Sequence, residues 1–423
     1  MTGGIGFDEG RASDFPCDEN SAAAILRRLK IASRPQAVEE SVTLAISARA
    51  AALRAEGIDV LSLAAGEPDF APAPPLEAAA HAFLESGVGR YTATSGTPEL
   101  RASLAEAAQS GFAAQLTRDN ILVTAGTKPA IHIALLALLE PGDEVVVLAP
   151  YWVSYPHIVR LAGGVPRIFP CSADNAFVPD FGELERELAR PACRVLLVNS
   201  PNNPTGRVYS SDELRALHDL CREHDVTILS DEIYAAVTDA DTDRAPSPSG
   251  FDEGLERTIV FDGLSKSHAV PGWRLGWMIG PPPLIEAAGK LQSQLLGNAC
   301  AIAQAAALSA FTDESRAATR SMVGAIVERR AHFSKGLEWL PEFELLEPMG
   351  AFYAFPAVHD VLERLGIDDT ALASRLLVEA RVAIVPGTAF GAPGHLRFSL
   401  TQGIDVIDEA LHRVRAWLDD HLP

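Results

Sequence analysis

The chain lacks several things that would have pointed to other kinds of protein. Its five cysteines, Cys17, Cys171, Cys193, Cys221 and Cys300, are odd in number, scattered, and never spaced C-x-x-C. No disulfide framework or zinc site is expected from them, and a reducing compartment is. Long apolar runs are also missing. The longest apolar helix candidates, such as residues 131–139, fall well short of the ~20 residues that a bilayer span needs. The opening stretch, MTGGIGFDEGRASDF, carries acids and no apolar core of the kind a secretory signal has. Basic charge is scarce, with 35 Lys and Arg against 56 Asp and Glu, a net −21. That balance argues against a nucleic-acid or anionic-membrane partner, because phosphate binding wants an excess of Lys and Arg. No internal repeat is visible. These absences lead to the expectation of a soluble, cytoplasmic protein.

What is present is ordinary globular material. The 423 residues are 48% hydrophobic and 22% charged, enough to bury a large core and a smaller one in two or three domains. From residue 41 to 55 the apolar spacing is helical, and residues 60–63 read as a strand. The middle of the chain alternates short apolar runs, at 121–123, 144–148, 194–198, 226–229 and 258–261, with helices such as 129–140. Another helix begins after Ser210, with Glu213 completing a capping box. Continuous apolar runs are the mark of strands buried on both faces, and their alternation with helices predicts an α/β domain with a largely parallel sheet. Residues 239–254, rich in Asp, Pro, Ser and Gly, read as a surface loop. From about 317 a long helix leads into a region of mixed strands (343–346, 352–355, 382–385) and a final helix, 404–418, predicting a smaller α+β domain.

In open parallel sheets, ligands gather at the carboxyl ends of the strands. The residues just past each apolar run are therefore the ones to inspect. Thr124-Ala125-Gly126-Thr127-Lys128 precedes a helix, whose N-terminal N–H groups suit an anion, although a glycine there is often only a turn. Pro150-Tyr151-Trp152 offers aromatics that could equally be core. Then come Asn199-Ser200-Pro201-Asn202-Asn203, Ser230-Asp231-Glu232-Ile233-Tyr234 and Asp262-Gly263-Leu264-Ser265-Lys266. An acid, an amide, an aromatic face, an anion nest and a lysine thus meet on one edge. Metal sites and Ser/His/Asp triads do not account for that set. Pyridoxal 5'-phosphate (PLP) does, since it needs an amine for a Schiff base, an acid facing its ring nitrogen, a phosphate cup and a stacking partner.

On the motifs AAGEPDF, RYTATSGTPELR, PYWVSYP, NSPNNPTG, SDEIY, SKSHAVPGWRLGW, GAFY, VPGTAFG and HLRFS, in that order from about Ser33 to the end, the chain resembles a fold type I PLP-dependent enzyme of the class I/II aminotransferase family, in the branch of bacterial aspartate aminotransferases. The resemblance implies a large α/β domain with a mostly parallel seven-stranded sheet between helices and a smaller α+β domain. Its boundaries would be an extension at 1–33, small-domain residues 34–65 and 321–423, and a large PLP-binding domain at 66–320. Lys266 would be the Schiff-base lysine and Asp231 the partner of the pyridinium nitrogen. Asn203 and Tyr234 would bond the ring oxygen, and Trp152 would stack on the ring. Gly126, Thr127, Lys128, Ser265 and Arg274 would line the cofactor's phosphate region, and Tyr91 would reach the phosphate of a neighbouring subunit in a homodimer. Arg397 would clamp the substrate α-carboxylate, with Asn203, Gly66 and Trp152 beside it. Lys128 and Thr43 stand where this branch contacts a distal carboxylate.

Two departures from the family pattern bear on the reaction. Gly263 stands where a phosphate-bonding Ser is common. Leu295-Leu296-Gly297-Asn298-Ala299-Cys300-Ala301 replaces a run of Ser and Thr. The expectation is an aminotransferase moving an α-amino group between an amino acid, possibly dicarboxylic, and a 2-oxo acid. The alternative is a PLP enzyme of specialised metabolism performing β- or γ-elimination, replacement or carbon–carbon bond formation. A binding or regulatory protein on the same fold is the third reading.

Overall fold

The computed structural model describes residues 31–238 and 244–423. The chain divides into two units between Glu39 and Glu40. The described part of the first holds one 3-10 turn, Arg34–Ala37. Residues 1–30 of the expected 1–33 extension and residues 239–243 of the expected loop lie outside the described residues.

In the second unit the helix Val42–Ala55 leads to a short strand, β1 (Leu61–Ser62). Seven strands then form one sheet: β2 (Ile121–Thr124), β3 (Glu144–Ala149), β4 (Val165–Pro170), β5 (Cys193–Asn199), β6 (Thr227–Asp231), β7 (Thr258–Gly263) and β8 (Gly276–Ile279). Their order is β2-β8-β7-β6-β5-β3-β4. The pairs from β7 through to β4 are parallel, while β8 runs antiparallel between β7 and β2. The period-2 alternation of strand side chains sorts the valine-rich runs to two buried faces. Val145, Val147, Leu197 and Leu229 pack with Ile131, Ile133 and Leu135 of the helix Thr127–Leu138 and Ile285 of the helix Pro282–Leu295. Val146, Leu196, Val198 and Ile228 meet Leu184 and Leu188 of Phe181–Leu188 and Leu214 and Leu217 of Ser211–Glu223. This is the mostly parallel seven-stranded sheet between helices that the motifs implied.

The chain adds four more strands: β9 (Tyr353–Ala354), β10 (Val382–Ala383), β11 (Val385–Pro386) and β12 (Leu396–Ser399). Three of them form an antiparallel sheet of order β11-β12-β9, and β1 pairs in parallel with β10, Leu61 beside Val382. Their core holds Leu63, Phe333 of the long helix Asp313–Gly336, Phe398, and Leu411 and Trp417 of the last helix, Ile404–His421.

Some local expectations shift. The helix at 129–140 is Thr127–Leu138, with Pro129 in its first turn, where no N–H is needed. The run 343–346 is no strand and contributes only a bridge, Glu344 to Ala357. Residues 382–385 divide between β10 and β11. Among the described residues no helix is long and apolar enough to cross a membrane.

Candidate active site

The carboxyl ends of β2, β5, β6 and β7 converge. Asp231 closes β6 and is buried. Its Oδ2 accepts a hydrogen bond from the Tyr155 hydroxyl at 2.7 Å and its Oδ1 one from the Ile233 N–H at 3.2 Å. Burial pushes its carboxyl up to about 6, against the pull of those two donors. Asn199, closing β5, fastens the next turn. Its Nδ2 donates to the Asp231 carbonyl at 2.8 Å and its Oδ1 accepts from the Asn203 N–H at 2.9 Å. Asn203 is therefore held by its backbone, and its side chain is free to present Oδ1.

Lys266 sits in the one-turn helix Leu264–Ser267 at the end of β7. Its Nζ donates to the Gly66 carbonyl at 2.6 Å. Burial draws the ammonium down to about 8; the cations Arg397 and Arg274 add to this, and the anions Glu67 and Asp231 oppose it. A side chain at Gly66 would strike the Tyr353 hydroxyl. Ser265, the residue before Lys266, is buried.

Arg397 is a guanidinium only 2% exposed. Its Nη1 donates to Asn203 Oδ1 at 3.0 Å and its Nη2 to the Ala64 carbonyl at 2.6 Å, while its Nε has no partner. It lies over the rings of Tyr353 and Phe390, at 4.5 and 4.9 Å. No carboxylate pairs with it among the described residues. Leaving a charge buried and unpaired costs several kcal/mol, on the order expected when one partner of a buried ion pair is missing. Tyr234 and Tyr353 are both buried and share a hydrogen bond between hydroxyls at 2.9 Å. Burial raises both above the usual tyrosine range.

The anion nest is made of backbone. Gly126 caps the helix Thr127–Leu138 at φ +99°, a conformation that favours glycine. A Cβ there would lie 2.6 Å from Arg274 Nη2. Arg274 itself is held by Nη1 donating to the Pro271 carbonyl at 2.8 Å. Thr127 makes a long bond to the Asp262 carbonyl, 3.5 Å. Lys128, one residue on, places its Nζ 4.8 Å over the Trp152 ring. Partial burial, with Arg274 nearby, lowers its ammonium. Trp152 in turn meets Tyr155 edge to face at 5.3 Å.

The structure does not bring every expected residue to this place. Tyr91 is 96% exposed. Thr43 lies in the first turn of Val42–Ala55, and no hydrogen bond among the described residues joins it to Lys128 or Arg397. Gly263 has a steric reason: a Cβ would come within 2.9 Å of the Leu275 carbonyl and 3.1 Å of the Gly276 Cα, so a serine does not fit between these strands. At the other departure Leu295 and Leu296 are 54% and 51% exposed. The buried Gln304 just beyond them donates to Thr92 Oγ1 and the Ala299 carbonyl, both at 2.9 Å, and accepts from the Thr97 N–H at 2.9 Å.

Three residues of the site went unassigned from sequence: Tyr155, Asn199 and Tyr353. Each lies inside one of the family motifs, but only its position beside a buried charge marks it out.

Comparison with known proteins finds relatives along most of the chain. The family described as Aminotransferase class I and II matches residues 58–414. The chain is 36% identical over 394 residues to an aspartate aminotransferase of Bacillus subtilis, covering 93% of this chain and all of the other. It is 39% identical to the aspartate/prephenate aminotransferase of Thermus thermophilus, over 90% of this chain and 97% of that one. The solved structure of the Thermus thermophilus aspartate aminotransferase with maleate superposes with a TM-score of 0.86 at 39% identity, covering 91% of this chain and 99% of that chain.

Proposed function

The chain belongs to the class I and II aminotransferase family and is a PLP-dependent aminotransferase acting on an amino acid and a 2-oxo acid; on that premise we propose which residues carry the reaction and which substrate it takes. The lyase and synthase alternatives are not favoured by these relatives.

The residues present fit the cofactor. Gly126 leaves open a cradle that a Cβ would fill against Arg274, and the adjoining helix N-terminus and guanidinium suit a phosphate. Gly126, Thr127 and Arg274 would hold that phosphate, with Ser265 and Lys128 at its edge. Asp231, kept in place by Tyr155 and Ile233, would face the ring nitrogen. Asn203 and Tyr234 would bond the ring oxygen, and Trp152 would cover the ring. When bound, PLP supplies a conjugated, protonated ring that takes up the electron pair left at the substrate's Cα.

The remaining work falls to the chain. Arg397 receives the α-carboxylate as a two-pronged fork, and Asn203, bonded to it at 3.0 Å, keeps the fork aimed. Lys266 Nζ removes the Cα proton. Its lowered ammonium leaves a useful fraction of free amine near neutral pH. The observation that carries this reading is the buried Arg397 guanidinium with no carboxylate of its own, sharing Asn203 with the turn that Asn199 ties to Asp231.

Aspartate, or another dicarboxylate, is the proposed donor. Support comes from the names of the relatives and from the Lys128 ammonium, which stands over the Trp152 ring. Thr43 is proposed to join Lys128 at the distal carboxylate, Tyr91 to reach the partner's phosphate across a homodimer, and the cytoplasm is proposed as the compartment. Within the expected segments 34–65 and 321–423, residues 40–65 and 321–423 are proposed as one smaller domain, supported by the β1–β10 pairing and the core around Leu63.

The test is to add single amino acids to the holoenzyme and identify the organic product and the cofactor's final form. Aspartate should give its 2-oxo acid and leave the cofactor as the amine. In Lys128→Ala, kcat/KM should fall about tenfold for aspartate and less than twofold for alanine, on the order of one lost charge-assisted contact. Equal losses for both would reject the role of Lys128, and product release with the cofactor still an aldehyde would reject transamination.

A further inference from the structure

Behind the site lies a cluster of charges that the transamination chemistry does not use. Glu232 comes directly after Asp231 at the end of β6, and Asp262 is four residues before Lys266 in β7. These strands pair in register, Asp231 beside Phe261, and the Glu232 N–H donates to the Phe261 carbonyl at 2.8 Å. Three carboxylates therefore crowd two adjacent strand ends. The Glu232 side chain is 1% exposed and that of Asp262 13%. Like charges this close oppose one another's ionisation.

Arg244 meets them. Its Nη1 donates to Asp262 Oδ2 and its Nη2 to Glu232 Oε2, each at 2.7 Å. One planar fork thus spans both strands, a geometry that guanidinium supplies and ammonium does not. The other oxygens are also occupied. Glu232 Oε1 accepts from Ser230 Oγ at 2.9 Å and Ser247 Oγ at 2.5 Å. Asp262 Oδ1 accepts from the Gly263 N–H at 2.7 Å, the backbone group that opens the turn carrying Lys266.

We propose that Arg244 is a positioning residue for transamination: it neutralises Glu232 and Asp262 so that Asp231 stays ionised, and it ties the end of β6 to the end of β7 so that Asp231 and Lys266 keep their spacing. It acts through those two residues. The groups that bear on Asp231 are Tyr155, from the helix Tyr155–Leu161; Glu232 and Tyr234, after β6; Asp262, in β7; and Lys266. Glu232 and Asp262 both push the Asp231 carboxyl upward. Removing Arg244 leaves Asp262 without its cation and takes away the main pull that keeps Glu232, itself raised by burial, ionised; while either remains charged, Asp231 gains a proton at higher pH and loses its hold on a protonated ring nitrogen.

The inference rests on the roles proposed for Asp231 and Lys266. Those roles are tested separately by Lys266→Ala, whose visible cofactor absorbance should be lost whatever Arg244 does. In Arg244→Gln holoenzyme the acid limb of the kcat/KM profile should move up by about one pH unit, and the pH titration of the bound cofactor's absorbance should move with it. kcat should fall about tenfold or more while KM for the amino donor changes less than about threefold. Arg244→Lys should recover part of the shift. Glu232→Gln combined with Arg244→Gln, which removes one charge of each sign, should recover more. An acid limb and titration unmoved in Arg244→Gln overturn the proposal, and so does a fall in kcat with both stationary, since a merely structural residue would do that. If Arg244→Gln does not fold, Arg244→Lys decides, and an unmoved limb there overturns it.

Discussion

Lys266 shows how much a single side chain owes to its surroundings. Its amine is drawn down to about 8, chiefly by burial. The group is a base, so its reactive neutral form grows as pH rises. Below about pH 8 that form increases about tenfold per unit, and above it the form saturates. The rate at which apoprotein captures PLP should track the same curve and flatten above about pH 8, read from the visible absorbance. A rate still climbing at pH 10 would mark an ordinary exposed lysine. Lys266, Asp231 and Asn203 were legible as charged or amide residues just after apolar runs, where such groups demand a partner, whereas Arg397 was legible only through its place in the motif HLRFS. Tyr155, Asn199 and Tyr353 were not. Each acts only by touching something distant in sequence, and a tyrosine or asparagine in a motif carries no mark of what it touches. The glycine at 263 was read as a lost phosphate donor; the closeness of Leu275 and Gly276 supplies the steric reason that no local pattern contains.

At the scale of elements, local chemistry decided most of what could be read. Ser210 Oγ accepts from the Glu213 N–H at 3.3 Å, and Glu213 Oε2 accepts from the Ser210 N–H at 2.8 Å, the capping box expected there. Ser210→Ala should cost about 1 kcal/mol of stability, measured by denaturant unfolding, with kcat unchanged. A cost below a few tenths would mean that Arg207, which bonds Glu213 Oε1 at 2.6 Å, holds this helix start by itself. Two strands of the large sheet were not legible. β4 contains Pro166 and Pro170, which argue against a central strand, but it lies at the sheet edge and pairs only with β3, where proline is tolerated. β8 is four residues long and begins in the last two residues of the motif that carries Arg274; its antiparallel place between β7 and β2 is set by the sheet around it.

For the whole molecule, one exposed side chain leads to a prediction. Tyr91 is 96% exposed, an unusual state for a large aromatic next to the Thr92 and Thr97 contacts of Gln304. The proposed homodimer gives it a partner. Sedimentation should return about twice 45.0 kDa, and Tyr91→Phe should weaken PLP retention about tenfold, on the order of one lost hydrogen bond to a charged group. A monomer of full activity, or unchanged retention, would reject that role. The net charge of −21 described the surface and said nothing about the pocket, where Lys266, Arg274 and Arg397 gather. By itself the sequence determined the class of fold, the strand ends and most of the charged groups gathered at the carboxyl edge of the sheet, because hydrophobic period, capping and motif order are local properties. The tertiary structure alone decided which of those groups share a space. It brought Gly66 to Lys266, Asn203 to Arg397 and Arg244 across two strands, because such contacts join segments far apart in the chain and exist only once the sheet has brought its ends together.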